Sequence, residues 1–535
     1  MDRRAGDAGT ASLGSRLQTT NAGGVVFRAG GGFVGNTSVT LVGLAAGAVL
    51  SMVNEVLAAR FLGVTSYGLY ALAMMAARVG EKIAVFGVPV SVLHYLPVYL
   101  SRDERRHALG TVVGGIPLSL GLGLVLAFGL WMGADWIATH VLGQPEAAHF
   151  LRILGFAIPL MALIDLLGEI TRGFGRALPY VVLRNLVPQL CSMAVLIWLF
   201  LSRGSQIGVA YAQIFGLGLG VVVGIGFVLH LVRTRIGPLR PILQLRRLYG
   251  YAAPIVLNTM VSLAMVWTDL FLLGVLTDAS TVGTYRGCMQ ITLVFDLIWT
   301  AFSSATATLY TVLIADGRRA QLQETYTAAG RLASLAAIPL LLLIMVNGGD
   351  ILGLLGPAFA VGALPLFILA CGQFFKLAFG AASIVLNVGG RQSLEAGNVA
   401  LAAGVNLILN LMLIPVFGLL GAALATATSL TGLGLLRCVQ IRRVWGLHTL
   451  DRALPWALLV TVPPALAIWA ASVAIGLGPG SGSIALVLRI AAMSVVTGGA
   501  LWFFALTADD RRMLLDLALR RGRGAGTAAG AATPI

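Results

Sequence analysis

Apolar segments of about 20 residues recur from one end of this chain to the other, and each is long enough to cross about 30 Å of hydrocarbon as an α-helix. Fourteen such spans lie near residues 35–58, 67–93, 110–132, 151–171, 180–201, 208–232, 251–275, 283–308, 330–347, 364–386, 396–416, 418–436, 454–477 and 484–506. Inside a bilayer every backbone N–H and C=O must be bonded within the protein, and segments of this length indicate helices rather than the shorter strands of a membrane barrel. The sequence therefore predicts an all-α polytopic membrane protein.

The positions of the basic residues predict how the chain is oriented. Only 11% of the residues are charged, against about 25% in a soluble protein, yet the net charge is +15. With fourteen spans and both termini in the cytoplasm, 27 of the 36 Lys and Arg residues fall in cytoplasmic tails and loops, and three fall in outer loops. This asymmetry follows the positive-inside rule. The excess of basic residues therefore predicts contact with anionic membrane lipid and no nucleic-acid partner.

One phrase of the sequence occurs twice. ARFLGVTSYGLYALAM at 59–74 is echoed by DLFLLGVLTDASTVGTYRGCM at 269–289, and this alignment matches Gly68 with Gly283. A second echo aligns SQIGVAYAQIFGLGLG at 205–220 with GLLGAALATATSLTGLG at 418–434, and it matches Gly208 with Gly421. The two echoes have nearly the same separation along the chain, which predicts that spans 1–6 and 7–12 are copies. Because each copy has an even number of helices, the predicted symmetry axis lies along the membrane normal.

This repeat predicts the organisation of the chain. In order, the predicted parts are a disordered cytoplasmic tail (1–32), a first lobe of six helices (33–232), a cytoplasmic connection (233–250), a second lobe of six helices (251–440), two added helices (452–507) and a cytoplasmic tail (508–535).

The two copies of the phrase, together with NLILNLMLIPVFGLLGAALATATS at 406–429, resemble the oligosaccharide flippases of the multidrug/oligosaccharidyl-lipid/polysaccharide exporter superfamily. The resemblance covers roughly residues 33–440. It implies a transporter, not an enzyme, in a bacterial plasma membrane, with two lobes around a cavity that opens alternately to either side. The implied cargo is an undecaprenyl-pyrophosphate-linked oligosaccharide, moved to the outer leaflet. The implied partners are this lipid, the surrounding membrane lipids, and polysaccharide polymerases and glycosyltransferases.

Charged side chains inside the spans are the candidate functional residues, because an ionised group at bilayer depth costs about 2.5–3.5 kcal/mol and usually faces a partner or a wet cavity. The candidate substrate-binding cations are Arg78, Lys82, Arg184, Arg286 and Lys376. Arg and Lys are the side chains that bind phosphate oxygens. These cations are expected to line a cavity for the pyrophosphate. The alternatives are ion pairs that only position helices and, for Arg184, a side chain that reaches the membrane surface.

Four acids lie in the same spans, namely Glu55, Glu81, Asp165 and Asp269. They are candidates for coupling to H⁺ or Na⁺, or for ion pairs, because a carboxylate at membrane depth binds a cation or a proton readily. A salt bridge between Asp269 and Arg286 is one such alternative. The four cysteines lack CxxC spacing, the histidines lack paired ligand spacing, and no metal site, organic cofactor or catalytic residue is predicted.

Three other functions remain open from the sequence. A cation-coupled multidrug exporter of the same superfamily would favour an acidic cavity, whereas the charge surplus in these spans is basic. A flippase for the lipid precursor of peptidoglycan would have the same fold and the same cavity charge. A membrane polysaccharide polymerase or glycosyltransferase would need catalytic groups in a large outer loop, and the predicted outer loops are short.

Overall fold

The computed structural model describes residues 31–448, 453–476, 478, 480, 482–506 and 511, and within these residues the chain is helical without strands. The tails predicted at 1–32 and 508–535 lie outside this description, apart from the first two residues of the first helix and Arg511. The fold class predicted from the apolar segments, all-α and polytopic, is confirmed.

The described helices lie in the segments of the chain that the sequence predicts as a first half, a second half and a final pair. The first half contains α1 (Gly31–Val85), α2 (Val88–Ser101), α3 (Arg105–Trp136), α4 (Ala147–Gly155), α5 (Ala157–Gly173), α6 (Ala177–Val181), α7 (Val187–Ser202) and α8 (Gly208–Arg235). The second half contains α9 (Leu245–Leu276), α10 (Ala279–Ala315), α11 (Arg319–Gly353), α12 (Ala363–Ala378), α13 (Ala381–Val388), α14 (Gln392–Phe417) and α15 (Leu419–Trp445). The final pair is α16 (Ala453–Ala474) and α17 (Ser483–Ala500). Short π-helical turns at Ile137–Val141, Val182–Leu186 and Leu501–Ala505, and a 3₁₀ turn at Pro357–Gly362, complete the set.

Twelve helices of the described residues are long and apolar enough to cross a membrane, and the count of fourteen remains a prediction. Part of the difference lies in α1, which contains the first predicted span and most of the second. Gly63, with φ 72° and ψ 171°, interrupts this 55-residue helix. Each arm of α1 on either side of Gly63 still exceeds the roughly 17 residues that the shortest crossing needs. The rest of the difference lies in α9, of which the stretch Leu263–Leu276 is apolar but is shorter than a membrane crossing needs.

Among the predicted spans that a turn interrupts, two have their breaks close to charged residues. The span predicted near 67–93 ends at Val85 and resumes at Val88, because Gly87 adopts a left-handed conformation (φ 67°) and a proline follows in the first turn of α2. Left-handed backbone and proline both stop an α-helix. The span predicted near 364–386 is divided between α12 and α13. Both breaks turn the chain beside the charged residues described below.

The repeated phrase forms the crossing between the two halves. At this crossing α1 packs against α10, and a Cβ added to Gly68 would overlap the carbonyl oxygen of Ala279, while a Cβ added to Gly283 would overlap that of Val64. Each glycine faces the carbonyl that lies four residues before the other glycine. The contact is therefore the same from each side, as a two-fold axis between the halves requires. Only glycine allows two helix backbones to approach this closely.

The second echo places a glycine near the start of one helix in each half. Gly208 at the start of α8 contacts Leu199 of α7, and Gly421 near the start of α15 contacts Leu413 of α14. In each half, a glycine in the first turn of one helix lets it pack against the end of the helix before it. The packing of both echoes thus agrees with the repeat predicted from the sequence.

The final helix pair is attached to the second half through α11. Arg489 of α17 is only 2% exposed and forms an ion pair with Asp350 of α11. The Gly480 amide also donates to Asp350, at 2.9 Å. The pair therefore packs outside the repeat and leaves the interface between the halves free.

Candidate functional site

A cavity of about 620 Å³ lies between the two halves. Its walls come from α1, α7 and α8 on one side and from α9, α10, α12, α14 and α15 on the other. The five cations singled out from the sequence all line it, namely Arg78, Lys82, Arg184, Arg286 and Lys376. A second cavity of about 360 Å³ is lined mainly by the first half, together with Leu297 and Thr300 of α10, and shares Arg78 and Arg184 with the first.

Two of these cations belong to a buried network of the first half. The Lys82 ammonium lies 2.8 Å from Glu81 and 2.9 Å from Asp165. Arg184 lies 3.3 Å from Asp165 and 3.9 Å from Glu169. The acids of this network draw both cations towards α5, so Arg184 is paired within the protein. Glu81 is 1% exposed, and this network explains how its charge is tolerated.

Arg78 differs from the other predicted cations. It shares one face of α1 with Glu81 and Lys82, as the sequence spacing predicts, and it lines both cavities. Its side chain is exposed to them. In the described part of the chain it has no ion-pair or hydrogen-bond partner. Its guanidinium is therefore available to an anion that enters from outside the protein.

Arg286 joins the two halves. Its Nη2 lies 2.7 Å from Oε1 of Glu55 on α1, and Tyr67 donates to the other oxygen of the same carboxylate at 2.7 Å. The Trp267 ring lies 5.7 Å from the guanidinium carbon, in cation–π range. The alternative of a salt bridge between Arg286 and Asp269 is wrong, because Glu55 takes that place.

Asp269 instead forms hydrogen bonds with uncharged side chains of the second half. It is 2% exposed and accepts hydrogen bonds from Tyr285 at 2.8 Å and from Asn410 at 2.5 Å. The Thr426 hydroxyl also donates to it. No cation pairs with Asp269 among the described residues. A buried carboxylate with hydroxyl and amide partners but no counter-ion is rare in a membrane protein.

Two further cations of the second half pair with acids of the same half. Lys376 lies 2.6 Å from Asp296, and Arg437 forms a two-pronged pair with Glu395. Lys376, Asp296 and Arg437 all line the cavity. The sequence analysis missed Asp296 and Arg437. The signal for Asp296 was an acid inside a predicted span, and Arg437 stands one residue past the predicted end of another.

Each half has an ion pair that joins two of its helices, but the acid and the cation have changed places between the two halves. In the first half the cation Lys82 on α1 pairs with the acid Asp165 on α5. In the second half the acid Asp296 on α10 pairs with the cation Lys376 on α12. Asp165 and Lys376 have the same separation along the chain as the first glycines of the repeated phrase, Gly63 and Gly274. An ion pair thus joins equivalent helices in each half, and the helix that carries the cation in one half carries the acid in the other.

The walls of the 620 Å³ cavity hold six cations and three carboxylates, the latter being Glu55, Asp269 and Asp296. Five of these cations pair with an acid, so Arg78 is the cation of this lining that stays available to an entering anion among the described residues. No group of three or more His, Cys, Asp or Glu side chains in the described residues is arranged to hold a metal ion.

Comparisons with known proteins agree with this architecture. The chain is similar to a probable flippase, AglR, of Haloferax volcanii, with 26% identity over 460 residues that cover 83% of this chain and 86% of the relative. Its fold is shared with the lipid II flippase MurJ in an inward closed conformation (TM-score 0.67, 13% identity, 86% of this chain and 97% of that one). It is also shared with an inward-facing multidrug resistance MATE transporter of the MOP superfamily (TM-score 0.64, 15% identity, 76% and 98%).

These structural likenesses show the fold, and a sequence model of one family goes further. That model, described as polysaccharide biosynthesis protein, matches residues 33–310, which is more than half of the chain. The match includes the first copy of the repeat, the second copy of the repeated phrase and the glycine crossing between them. This chain is a membrane protein of the polysaccharide biosynthesis protein family, as the resemblance of its repeated motifs predicts.

Proposed function

We propose that this protein flips an undecaprenyl-pyrophosphate-linked oligosaccharide from the inner to the outer leaflet of the plasma membrane, by alternating access through the cavity between its halves. Membership of a polysaccharide biosynthesis family and similarity to a probable flippase support a flippase of a glycan pathway. The proposal of an anionic cargo rests on Arg78, a cation that faces the cavity without a partner among the described residues.

The cations in the cavity lining support a pyrophosphate. A buried charge without a partner costs several kcal/mol, and a pyrophosphate brings about two negative charges. Arg78 binds such a group first, and Arg184 and Lys82, which line the same cavity, complete the shell. The cost of bringing the headgroup to membrane depth then falls, while the lipid tail stays among the acyl chains.

The membrane potential supplies part of the driving force. Outward movement of an anion from an inside-negative cell gains about 2.3 kcal/mol per charge per 100 mV. Flipping therefore proceeds outward even without a coupled ion.

Asp269 is the best placed of the four acids for a coupling role. Glu55, Glu81 and Asp165 each have a cationic partner, so their charge is already balanced. Asp269 has hydroxyl and amide partners only, and a buried carboxylate without a counter-ion is the group that Na⁺ or a proton would neutralise. We expect Asp269→Asn to remove any dependence of transport on a Na⁺ or pH gradient while leaving transport driven by membrane potential. Transport by this variant that still follows the gradient would exclude the role.

The unpaired Arg78 argues against export of cationic drugs, because a cation entering this cavity would meet a like charge there. A flippase for the peptidoglycan precursor fits the same cavity, and the choice between the two lies in the glycan.

Reconstitution tests the proposal directly. Full-length protein in liposomes with a fluorescent undecaprenyl-pyrophosphate-linked oligosaccharide should increase the fraction of that lipid accessible to an external quencher. We expect Arg78→Gln to slow this at least about tenfold, since a hydrogen bond to a charged group contributes roughly 1.5–3 kcal/mol. Arg319, an exposed arginine that lines neither cavity, provides the matched control, and Arg319→Gln should keep the normal rate.

Normal flipping by a stably folded Arg78→Gln protein would remove Arg78 from the substrate site. Flipping of a fluorescent cationic lipid in preference to the pyrophosphate lipid would contradict the proposed cargo.

A further inference from the structure

One wall of the cavity is polar but carries no charge. It consists of Ser51, Asn54, Gln189, Ser192 and Gln213, which we call the amide wall. Gln189 and Ser192 lie three residues apart on α7 and share one face of that helix. The amide wall therefore presents hydroxyl and amide groups from three helices, α1, α7 and α8, to a single surface.

The repeat explains why these groups face the cavity. Gln213 corresponds to Thr426 when the second echo is aligned on Gly208 and Gly421, and in the second half Thr426 donates to Asp269. When the first echo is aligned on Gly63 and Gly274, the position of Asp269 is occupied in the first half by Ala58. The first half thus lacks the carboxylate that engages the polar side chains of the second half. Its amides are left with hydrogen-bonding capacity that the protein does not use.

The hydrogen bonds within the amide wall leave this capacity open. Asn54 donates to the Gln189 carbonyl at 3.0 Å, and Ser192 donates to the Gln213 carbonyl at a long 3.4 Å. Asn54 is only 6% exposed, yet its Oδ1 is buried without a partner among the described residues. An unsatisfied buried acceptor costs about 1–3 kcal/mol. A ligand hydroxyl that donates to Asn54 would recover that cost.

The amide wall adjoins the cations. Ser51, Gln189 and Gln213 line both cavities, and Arg78 and Arg184 do the same. A pyrophosphate held by the two arginines therefore has its next chemical group beside these amides. The cavity of about 620 Å³ is of the size that holds one drug-sized ligand, roughly 300–1,000 Å³. It has room for part of an oligosaccharide headgroup.

We propose that the amide wall is a sugar subsite, which binds the hydroxyl groups of the sugar attached to the pyrophosphate. Amide side chains both donate and accept, and so they match hydroxyl groups, which do the same. This inference rests on the proposed function, because it takes the pyrophosphate at Arg78 as its anchor. It adds that selectivity among glycans resides in the first half of the molecule.

The test compares two ligands on the full-length protein in lipid nanodiscs. One is undecaprenyl pyrophosphate without sugar, and the other is the same lipid carrying a disaccharide. We expect Gln213→Leu to weaken binding of the glycosylated lipid roughly three- to tenfold, as for loss of one or two neutral hydrogen bonds. Binding of the sugar-free lipid should change by less than about twofold, because that ligand makes no contact with the amide wall.

Three further variants make the result decisive. Gln189→Leu should repeat the pattern of Gln213→Leu, and this guards against a local fault at one position. Gln392→Leu replaces a glutamine outside both cavities and should change neither affinity. Arg78→Gln should weaken both ligands alike, since it acts on the phosphate.

The outcomes separate the two proposals. If Gln213→Leu and Gln189→Leu weaken both ligands equally, or weaken neither, the sugar subsite is wrong and the amides only pack helices. If wild-type protein does not bind the sugar-free lipid, the pyrophosphate anchor and hence the proposed function fail. Weaker binding of the glycosylated lipid alone supports the subsite.

Discussion

The ion pair between Glu55 and Arg286 offers a quantitative test of how the two halves are held together. The pair joins α1 to α10 at 2.7 Å, with side chains only 17% and 16% exposed. When one partner of a buried pair is removed, the other charge is left uncompensated, at a cost of about 3–5 kcal/mol. We therefore expect Glu55→Gln and Arg286→Gln each to lower the free energy of unfolding by about 3 kcal/mol, the lower end because the pair borders a cavity.

The double variant should be less damaging than the sum of the two single changes. With both charges removed, no ion of this pair remains buried, and a Gln at position 55 still accepts the hydrogen bond from Tyr67. We expect Glu55→Gln combined with Arg286→Gln to recover about 2–3 kcal/mol relative to additivity, within the range found for contacting residues.

The assay is chemical unfolding of the purified protein in lipid bicelles, with Arg319→Gln as the exposed control, which should stay within about 0.5 kcal/mol of wild type. If the two single effects add to within about 0.5 kcal/mol in the double variant, the two charges do not interact and the reasoning fails. A greater stability of either single variant than of wild type would refute it as well.

Two further predictions concern the repeat. Gly283→Ala places a methyl group against the carbonyl oxygen of Val64 and should cost about 1–3 kcal/mol by overpacking, measured as a lower midpoint of thermal unfolding; Gly218→Ala, where nothing lies within 4 Å, should not lower it. The double variant Lys82→Asp with Asp165→Lys exchanges the two charges of the first-half ion pair. It places the acid on α1 and the cation on α5, as the second half places them on α10 and α12. This exchange should give a higher unfolding midpoint than Asp165→Lys alone, and an equal or lower midpoint would show that the direction of the pair matters more than its presence.

Much of the fold follows from the sequence because the bilayer restricts the choices. A run of about 20 apolar residues leaves a chain few alternatives to a helix. The repeated phrase predicts symmetry, and the packing of Gly68 and Gly283 agrees with it. The break at Gly63 was not predictable, because a glycine in an apolar run reads the same whether its φ is positive or negative.

The site was predictable in its parts but not in its pairings. All five cations chosen for their depth line one cavity, since a charge in an apolar span has few other places to go. Which acid each cation meets depends on contacts between distant helices, and the chain between Glu55 and Arg286 runs through most of the first half and all of α9. Arg437 was missed because α15 continues to Trp445, beyond the point where the chain stops being apolar.

The glycine crossing has a consequence for how such a chain arises. Because each half offers the same surface and receives the same surface, a polypeptide that encodes one half already contains a complete self-complementary interface. Two separate copies of it would pair as a symmetric dimer through the contact that α1 and α10 make in this chain. Fusion of the copies then frees each half to change alone, and the exchanged charges of Lys82–Asp165 and Asp296–Lys376 are differences that no true homodimer could carry.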